Sequence, residues 1–284
     1  MSETVTTGRK NNNMAGIIRR GAAAAVLTGM VTLGAAQSFA GPPLVTDDTG
    51  TVEPGKAEVE LNAGYTHDRE SDNGVSTRTE AFDGEMKINT GITRDLGVSL
   101  AVPYLFSERV RESGQLARTN DGFGDMTLEL KYRFFEREGL SLAVKPTVLL
   151  PTGRYGTGLS DGRFGFGGAL IATREFGEGA YLLHANVGYE HHSFRTDLQR
   201  EENRSDLWFG SLAGEAQVMK GLTLVTDFGL STTQERSTSE LCSYGLVGAR
   251  YEISEFLDVN AGVKIGLTKP EDDLALLYGA VLKF

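Results

Sequence analysis

Downstream of residue 56, hydrophobic side chains recur at every second position through nearly the whole chain. In Lys56–Thr66, the residues Ala57, Val59, Leu61, Ala63 and Tyr65 alternate with Glu58, Glu60, Asn62, Gly64 and Thr66. Successive side chains on a strand point to opposite faces, so this spacing predicts a strand with one apolar and one polar face. Asp125–Phe134 repeats the pattern, setting Met126, Leu128, Leu130, Tyr132 and Phe134 against Asp125, Thr127, Glu129, Lys131 and Arg133. Phe82–Ile92, Val98–Phe106, Leu140–Leu150, Phe164–Arg174, Tyr181–Tyr189, Asp206–Val218, Leu222–Leu230, Tyr244–Ile253, Leu257–Leu267 and Leu274–Phe284 bring the total to twelve candidate strands. Each is about ten residues long, the length that crosses a bilayer as a tilted strand. Nowhere in this stretch does a 3.6-residue period persist.

The links between these segments alternate in length. Short links fall at Thr93–Gly97, Phe135–Gly139, Glu175–Ala180, Met219–Gly221 and Ser254–Phe256, and longer polar ones at 67–81, 107–124, 151–163, 190–205, 231–243 and 268–273. A soluble sandwich has no reason to follow that rule, whereas an outer-membrane barrel pairs short periplasmic turns with long extracellular loops. Aromatic residues cluster on the apolar parity at both strand ends. Tyr65, Phe82, Tyr104, Phe106, Phe164, Tyr189 and Trp208 lie near the long links, and Tyr132, Phe134, Tyr181, Tyr251 and Phe284 near the short ones. Two such girdles belong at the two lipid–water interfaces. The expected fold is therefore an all-β, transmembrane, antiparallel up-and-down barrel of about twelve strands, with both chain ends on the periplasmic side.

The first forty residues read as a cleaved secretory signal peptide. Arg9, Lys10, Arg19 and Arg20 form a basic region, Ala22–Gly34 an apolar one, and Ser38-Phe39-Ala40 a small-x-small cleavage site. The longest apolar run, Gly21–Ala36, is too short for a membrane-spanning helix. Gly41 rather than Cys follows the site, so lipidation is not expected. Residues 41–55 are polar and proline-bearing, and either hang in the periplasm or fold into the lumen as a small plug. Residues 56–284 form the barrel. The chain carries 28 Lys and Arg against 38 Asp and Glu, and loss of the leader makes it more acidic still, which argues against a nucleic-acid partner.

The polar parity collects the charge. Glu58, Glu60, Asp83, Glu85, Lys87, Asp125, Glu129, Lys131, Arg133, Lys145, His184, Glu215, Asp227, Arg250, Glu252, Asp258 and Lys264 are the candidate lumen-lining residues. A packed soluble core could not hold them without pairing, but a water-filled lumen can. They support two readings: a narrow pore with weak cation preference set by acidic rings, or a cross-strand salt-bridge lattice that fills and stiffens the barrel. Twelve strands lie between the eight that pack full and the sixteen that leave an aqueous channel.

Catalytic patterns are weak. Gly158-Leu159-Ser160-Asp161-Gly162 matches G-x-S-x-G, but the motif acts on a strand-to-helix elbow and here falls in a polar loop. His191 and His192 are adjacent, point opposite ways on a strand and cannot share a metal. No catalytic residue, metal or cofactor is expected. Asp68, Glu70, Asp72, Glu271, Asp272 and Asp273 in the loops would serve to bridge divalent cations to lipopolysaccharide, or simply to keep the loops soluble.

A final strand of alternating apolar residues ending in Phe, Leu274–Phe284, is similar to the signal that outer-membrane proteins present to the barrel-assembly machinery. Pro43-Leu44-Val45-Thr46-Asp47-Asp48-Thr49-Gly50-Thr51-Val52 resembles the opening segment of a family of outer-membrane transporters named after the meta-cleavage pathway of phenol degradation. Gly124-Asp125-Met126-Thr127, Lys131-Tyr132-Arg133-Phe134 and Leu150-Pro151-Thr152-Gly153 are similar to its internal motifs, and the resemblance spans most of residues 43–284. It implies a barrel that passes small molecules, aromatic or apolar ones among them; separately, no enzymatic activity is expected, and outer-membrane lipid and lipopolysaccharide are the expected surroundings. The alternatives are a non-conducting structural or surface-binding barrel and, third, an embedded hydrolase.

Overall fold

The computed structural model describes residues 42–72 and 74–284, so the signal-peptide reading of residues 1–40 lies outside the described residues. The alternating segments form thirteen strands: β1 (Ala57–Asp72), β2 (Val75–Thr93), β3 (Leu96–Glu112), β4 (Gln115–Phe123), β5 (Met126–Arg137), β6 (Leu140–Leu150), β7 (Gly165–Phe176), β8 (Tyr181–His191), β9 (Asp206–Met219), β10 (Leu222–Thr232), β11 (Leu241–Ser254), β12 (Leu257–Gly266) and β13 (Leu274–Lys283). Every pairing is antiparallel between chain neighbours, and β1 closes the sheet against β13. β4 and β5 are one stave broken at Gly124–Asp125, because β3 pairs β5 through Ala101 and β4 from Tyr104 onward. The result is a closed up-and-down barrel with twelve staves.

Two expected loops turn out to be strand. Residues 67–72 and 75–81 continue β1 and β2, paired out to Asp72 and Val75, and 107–123 form the β3–β4 hairpin, which turns at Ser113 and Gly114 with positive φ values of 48° and 82°. Beyond the girdle the outward residues turn polar, as Arg69, Glu80 and Arg109 do, so pairing continues after the apolar alternation that reveals a strand has stopped. The remaining long links hold a 3-10 turn (Tyr155–Thr157) and α1 (Asp197–Glu202), whose Thr196 and Gln199 form a capping box. Among the described residues no helix is long and apolar enough to cross a membrane.

The side-chain alternation turns the barrel inside out relative to a soluble protein. Leu128, Tyr132, Phe134, Leu170, Tyr181, Trp208 and Tyr251 are exposed on the outer wall, while Glu129, Lys145, His184 and Asp227 are buried inside. The girdle rings also touch: Phe82 stacks on Phe106 at 5.1 Å, Tyr104 meets Phe123 edge-to-face at 4.7 Å, and Tyr189 lies tilted against Trp208 at 4.8 Å between ring centroids.

Both strand prolines sit where the ladder is already open. Pro103 lies beside the β4–β5 break, its carbonyl accepting Gly124 N–H at 3.1 Å. Pro146 lies in the middle of β6, not at a rim; the β5–β6 pairing lapses between Glu129–Thr147 and Tyr132–Val144, opposite it.

Candidate functional site

The lumen is occupied. Ahead of β1, the chain runs from Pro54, which bridges to Gly91 on β2, up into the middle of the barrel. There Leu44 is 0% and Asp47 1% exposed. This segment has no hydrophobic period and makes no ladder, so side chains of the wall hold it. Asp227 on β10 accepts the backbone N–H groups of Val45 and Thr46, both at 2.8 Å, and the Thr46 hydroxyl at 2.7 Å. Asp47 accepts Lys131 at 2.7 Å and Lys145 at 2.8 Å, from β5 and β6. The Thr173 hydroxyl oxygen on β7 accepts the Thr49 N–H at 3.1 Å, and the Thr51 hydroxyl donates to the Arg94 carbonyl at 2.7 Å in the β2–β3 turn. The segment thus touches the wall on several sides.

Its apolar contacts are equally specific. Leu44 packs with Ala213, Val225, Tyr244 and Leu246, the buried apolar cluster of β9, β10 and β11. Pro43 lies against Gly248 and Gly262; a Cβ built on Gly248 would stand 2.7 Å from the proline ring. At Gly91 a Cβ would fall 2.1 Å from the Val52 carbonyl oxygen, so only glycine admits the chain there.

Around Asp47 the charges form a belt at mid-barrel. Lys87 meets Glu129 at 2.7 Å, Glu129 stands 3.7 Å from Lys145, and Lys131 is 3.6 Å from Asp48. Away from the belt, Glu215 takes Arg250 at 2.6 Å and His184 at 3.4 Å, Lys264 pairs Glu271 at 2.7 Å, and Lys283 pairs Asp258 at 2.7 Å. Glu60 accepts the Asn89 amide at 2.5 Å. Buried ions of this kind are tolerable only in pairs or networks.

The sequence-derived candidates separate accordingly. Lys87, Glu129, Lys131 and Lys145 meet in the belt, and Asp227 holds the inserted segment. Glu60, His184, Glu215, Arg250, Asp258 and Lys264 lie in the smaller networks of the wall. Glu58, Asp83 and Glu85 are half-buried on β1 and β2. Three depart from a lumen wall. Asp125 sits at the β4–β5 break and accepts Gly153 and Asp161 N–H, tying down the 151–164 loop. Arg133 folds onto Asp95 at the short-turn end. Glu252 keeps the inward parity but is exposed at that same rim. Sequence reasoning missed Asp47 and Thr46 as functional residues, because nothing local marks the 42–55 segment as part of a site.

The inserted segment divides the lumen into two chambers. The lower one, about 380 Å³, is polar and lined by Glu58, Glu60, Lys87, Glu129, Lys131 and Asp258 among others. The upper one, about 100 Å³, is bordered by Val45 and Lys145 below and by Phe209, Tyr244 and the backbone at Gly168, Gly210 and Gly229. Phe209 and Tyr244 lie flat over glycines of the neighbouring strands, since a Cβ on Gly188 or Gly229 would meet those rings at 2.1 and 2.4 Å.

No nucleophile emerges from the loops. Ser160 is buried in the 151–164 loop, far from a strand-to-helix elbow, and its hydroxyl accepts Gly162 N–H at 3.0 Å. His191 pairs with Asp206 and His192 with Asp161, so the two rings share no partner. Among the described residues, no group of three or more His, Cys, Asp or Glu is placed to hold a metal.

The architecture has solved counterparts. An outer membrane channel from Pseudomonas putida F1 matches 84% of this chain and 98% of its own, with TM-score 0.69 and 15% identity. The NanC porin matches 80% and 100% (TM-score 0.55, 9% identity), and the translocator domain of autotransporter NalP from Neisseria meningitidis 95% and 96% (TM-score 0.52, 11% identity). At such identities the likeness is one of fold, and the first two are a channel and a porin, not enzymes. No curated protein matches the sequence. Residues 45–284, the barrel together with most of the inserted segment, match the family described as "Putative MetA-pathway of phenol degradation", and the chain belongs to that family.

Proposed function

We propose that this barrel passes small molecules across the outer membrane of a diderm bacterium, and that residues 43–51 set what can pass. One observation carries the reading: the lumen is occupied at mid-height by a segment fastened with side chains rather than by strand pairing. A structural barrel needs no such arrangement, because its wall could fill the lumen directly, as eight-stranded barrels do. Here the wall instead keeps a polar chamber below the segment and a smaller one above it. Fastening by a few charged contacts is reversible in a way that strand pairing is not, since the wall stays intact when the segment moves.

The upper chamber also bears on the solute. Phe209, Tyr244, Leu207 and Val45 offer aromatic and apolar surface beside glycine backbone, which suits an aromatic or apolar solute better than a highly charged one. The family description, which names phenol degradation, agrees with that class.

The test is conductance. The full chain, refolded in detergent and shown to be heat-modifiable, is placed in a planar bilayer under a salt gradient, beside a variant lacking residues 43–51. Discrete small steps from the intact chain and larger, longer ones from the deletion support the proposal. Silence from both, with the barrel folded, overturns it and leaves a non-conducting barrel. Uptake of a neutral aromatic solute into vesicles then ranks solutes by class.

A further inference from the structure

The outer face of the β1, β2 and β3 extensions carries a feature that passage through the lumen does not use. The register sets Arg69 opposite Arg78, and Arg78 opposite Arg111, so three guanidinium groups stand side by side across three adjacent strands. Arg109 lies one pair nearer the membrane, opposite Glu80. Asp68, Thr79 and Val110, the sequence neighbours of these arginines, are buried on the lumen side, so alternation turns the arginines outward.

Like charges directly opposite one another destabilise a sheet. Glu80 offsets part of this, meeting Arg78 at 2.8 Å and Arg111 at 2.9 Å while accepting the Tyr65 hydroxyl at 3.1 Å. Arg69 and Arg109 are exposed, and among the described residues no carboxylate bridges either of them. Asp273 takes only the Arg69 backbone N–H, at 3.1 Å, and His67 stands opposite Glu80. The patch therefore keeps a positive excess in an otherwise acidic protein.

We propose that this arginine row binds the phosphate groups of a phosphorylated glycolipid in the outer leaflet surrounding the barrel. Height supports the assignment. Tyr65 and Phe82, paired on β1 and β2, belong to the aromatic girdle, and Arg69 and Arg78 lie four residues further along the same strands. At about 3.4 Å per residue and a tilt near 40°, the row stands roughly 10 Å above the girdle, at headgroup depth. Chemistry agrees, because the planar guanidinium fork fits phosphate oxygens two at a time. Directly below the row, Phe82, Phe106 and Phe123 present aromatic surface to acyl chains, which a free phosphate would not need. Three of the loop acids are not free to hold a divalent cation against the lipid: Asp68 and Asp272 are buried toward the lumen and Glu271 is paired with Lys264. The inference needs the barrel to sit in an outer membrane, but not that it conducts.

The test uses the refolded full chain in detergent, titrated with bisphosphorylated lipid A, with the same lipid after phosphate removal, and with inorganic phosphate, read by native mass spectrometry. Arg109→Gln and Arg78→Gln should each weaken lipid A binding about five-fold, and the pair about 25-fold, the effect expected of basic groups near an anionic surface. Arg109→Lys, which keeps the charge but not the planar fork, should recover only part of the loss. Arg109 has no ion pair to break, so its variant keeps the barrel folded, and bilayer conductance should match that of the unsubstituted chain. Equal binding of the dephosphorylated lipid, or unchanged binding by both variants, overturns the proposal. So does displacement of lipid A by inorganic phosphate at comparable concentration, which would mark a soluble-anion site.

Discussion

Replacing Asp47 with Asn removes one charge from the lumen and nearly preserves shape, so it isolates the electrostatic hold on the inserted segment. The carboxylate is 1% exposed and accepts Lys131 and Lys145 at 2.7 and 2.8 Å. Removing one partner of a buried pair typically costs about 3–5 kcal/mol, most of it from the charge left behind. The lower end applies here, because Glu129 still stands 3.7 Å from Lys145 and can take over part of the interaction. A cost of about 3 kcal/mol changes the ratio of seated to displaced segment by roughly 150-fold. The segment should remain mostly seated, since Asp227 keeps its three hydrogen bonds to Val45 and Thr46, and bonds to a charged acceptor contribute about 1.5–3 kcal/mol each. The assay is the frequency of open events in a planar bilayer. Asp47→Asn should raise it on the order of 100-fold, and Asp47→Asn with Asp227→Asn further still. The reversal potential should move toward anions, because the belt of Lys87, Lys131 and Lys145 loses a negative neighbour. If the folded double variant opens no more often than the unsubstituted chain, the charge clamp is not what seats the segment.

Gly91→Ala tests the same segment without touching a charge. Its Cβ would fall 2.1 Å from the Val52 carbonyl, so residues 52–53 must shift, and conductance should rise with selectivity unchanged. Gly188→Ala pushes the Phe209 ring, 2.1 Å from the new atom, into the upper chamber. It should lower the midpoint of the heat-modifiability transition by an overpacking cost of about 1–3 kcal/mol and reduce passage of ring-sized solutes. At the outer rim, burial disfavours the charged form of His192, but the carboxylates of Asp161 at 2.7 Å and Glu190 at 3.4 Å outweigh it and push its pKa up to about 9. A raised value means that the tie holding the 151–164 loop is at full strength below the ordinary histidine range and fades as pH rises through about 9. Hydrogen exchange at residues 159–163 should therefore accelerate between pH 7 and 10 once corrected for intrinsic rates, and His192→Ala should remove that extra acceleration. Ser160→Ala should leave the barrel without any change in ester hydrolysis, since its hydroxyl serves the turn at Gly162.

The wall was legible because its cause is local. Along β5, Met126, Leu128, Leu130, Tyr132 and Phe134 face outward and Thr127, Glu129, Lys131 and Arg133 inward, a two-residue period that any short window displays. The twelve staves follow from that period and from the turns between them. Where the outward residues are polar as well, the period carries no signal, which is why β1, β2, β3 and β4 extend through residues that read as loops. Pro146 illustrates the converse: the residue is easy to see, but the lapse in pairing that accommodates it belongs to the neighbouring strand.

The candidate site was legible only in part. Alternation identified Lys87, Glu129, Lys131, Lys145 and Asp227 as inward-facing charges, because lumen parity is a property of each strand alone. Which of them meet is a property of barrel closure. Asp47 reaches Lys145 across 98 residues of sequence, and Thr46 reaches Asp227 across 181. By itself, then, the sequence determined a twelve-stave wall, lipid-facing outside and charged within. Only the tertiary structure decided that residues 43–51 stand inside it. The segment carries no period and pairs with no strand, so its place depends on acids and lysines that become neighbours only when the first and last strands join.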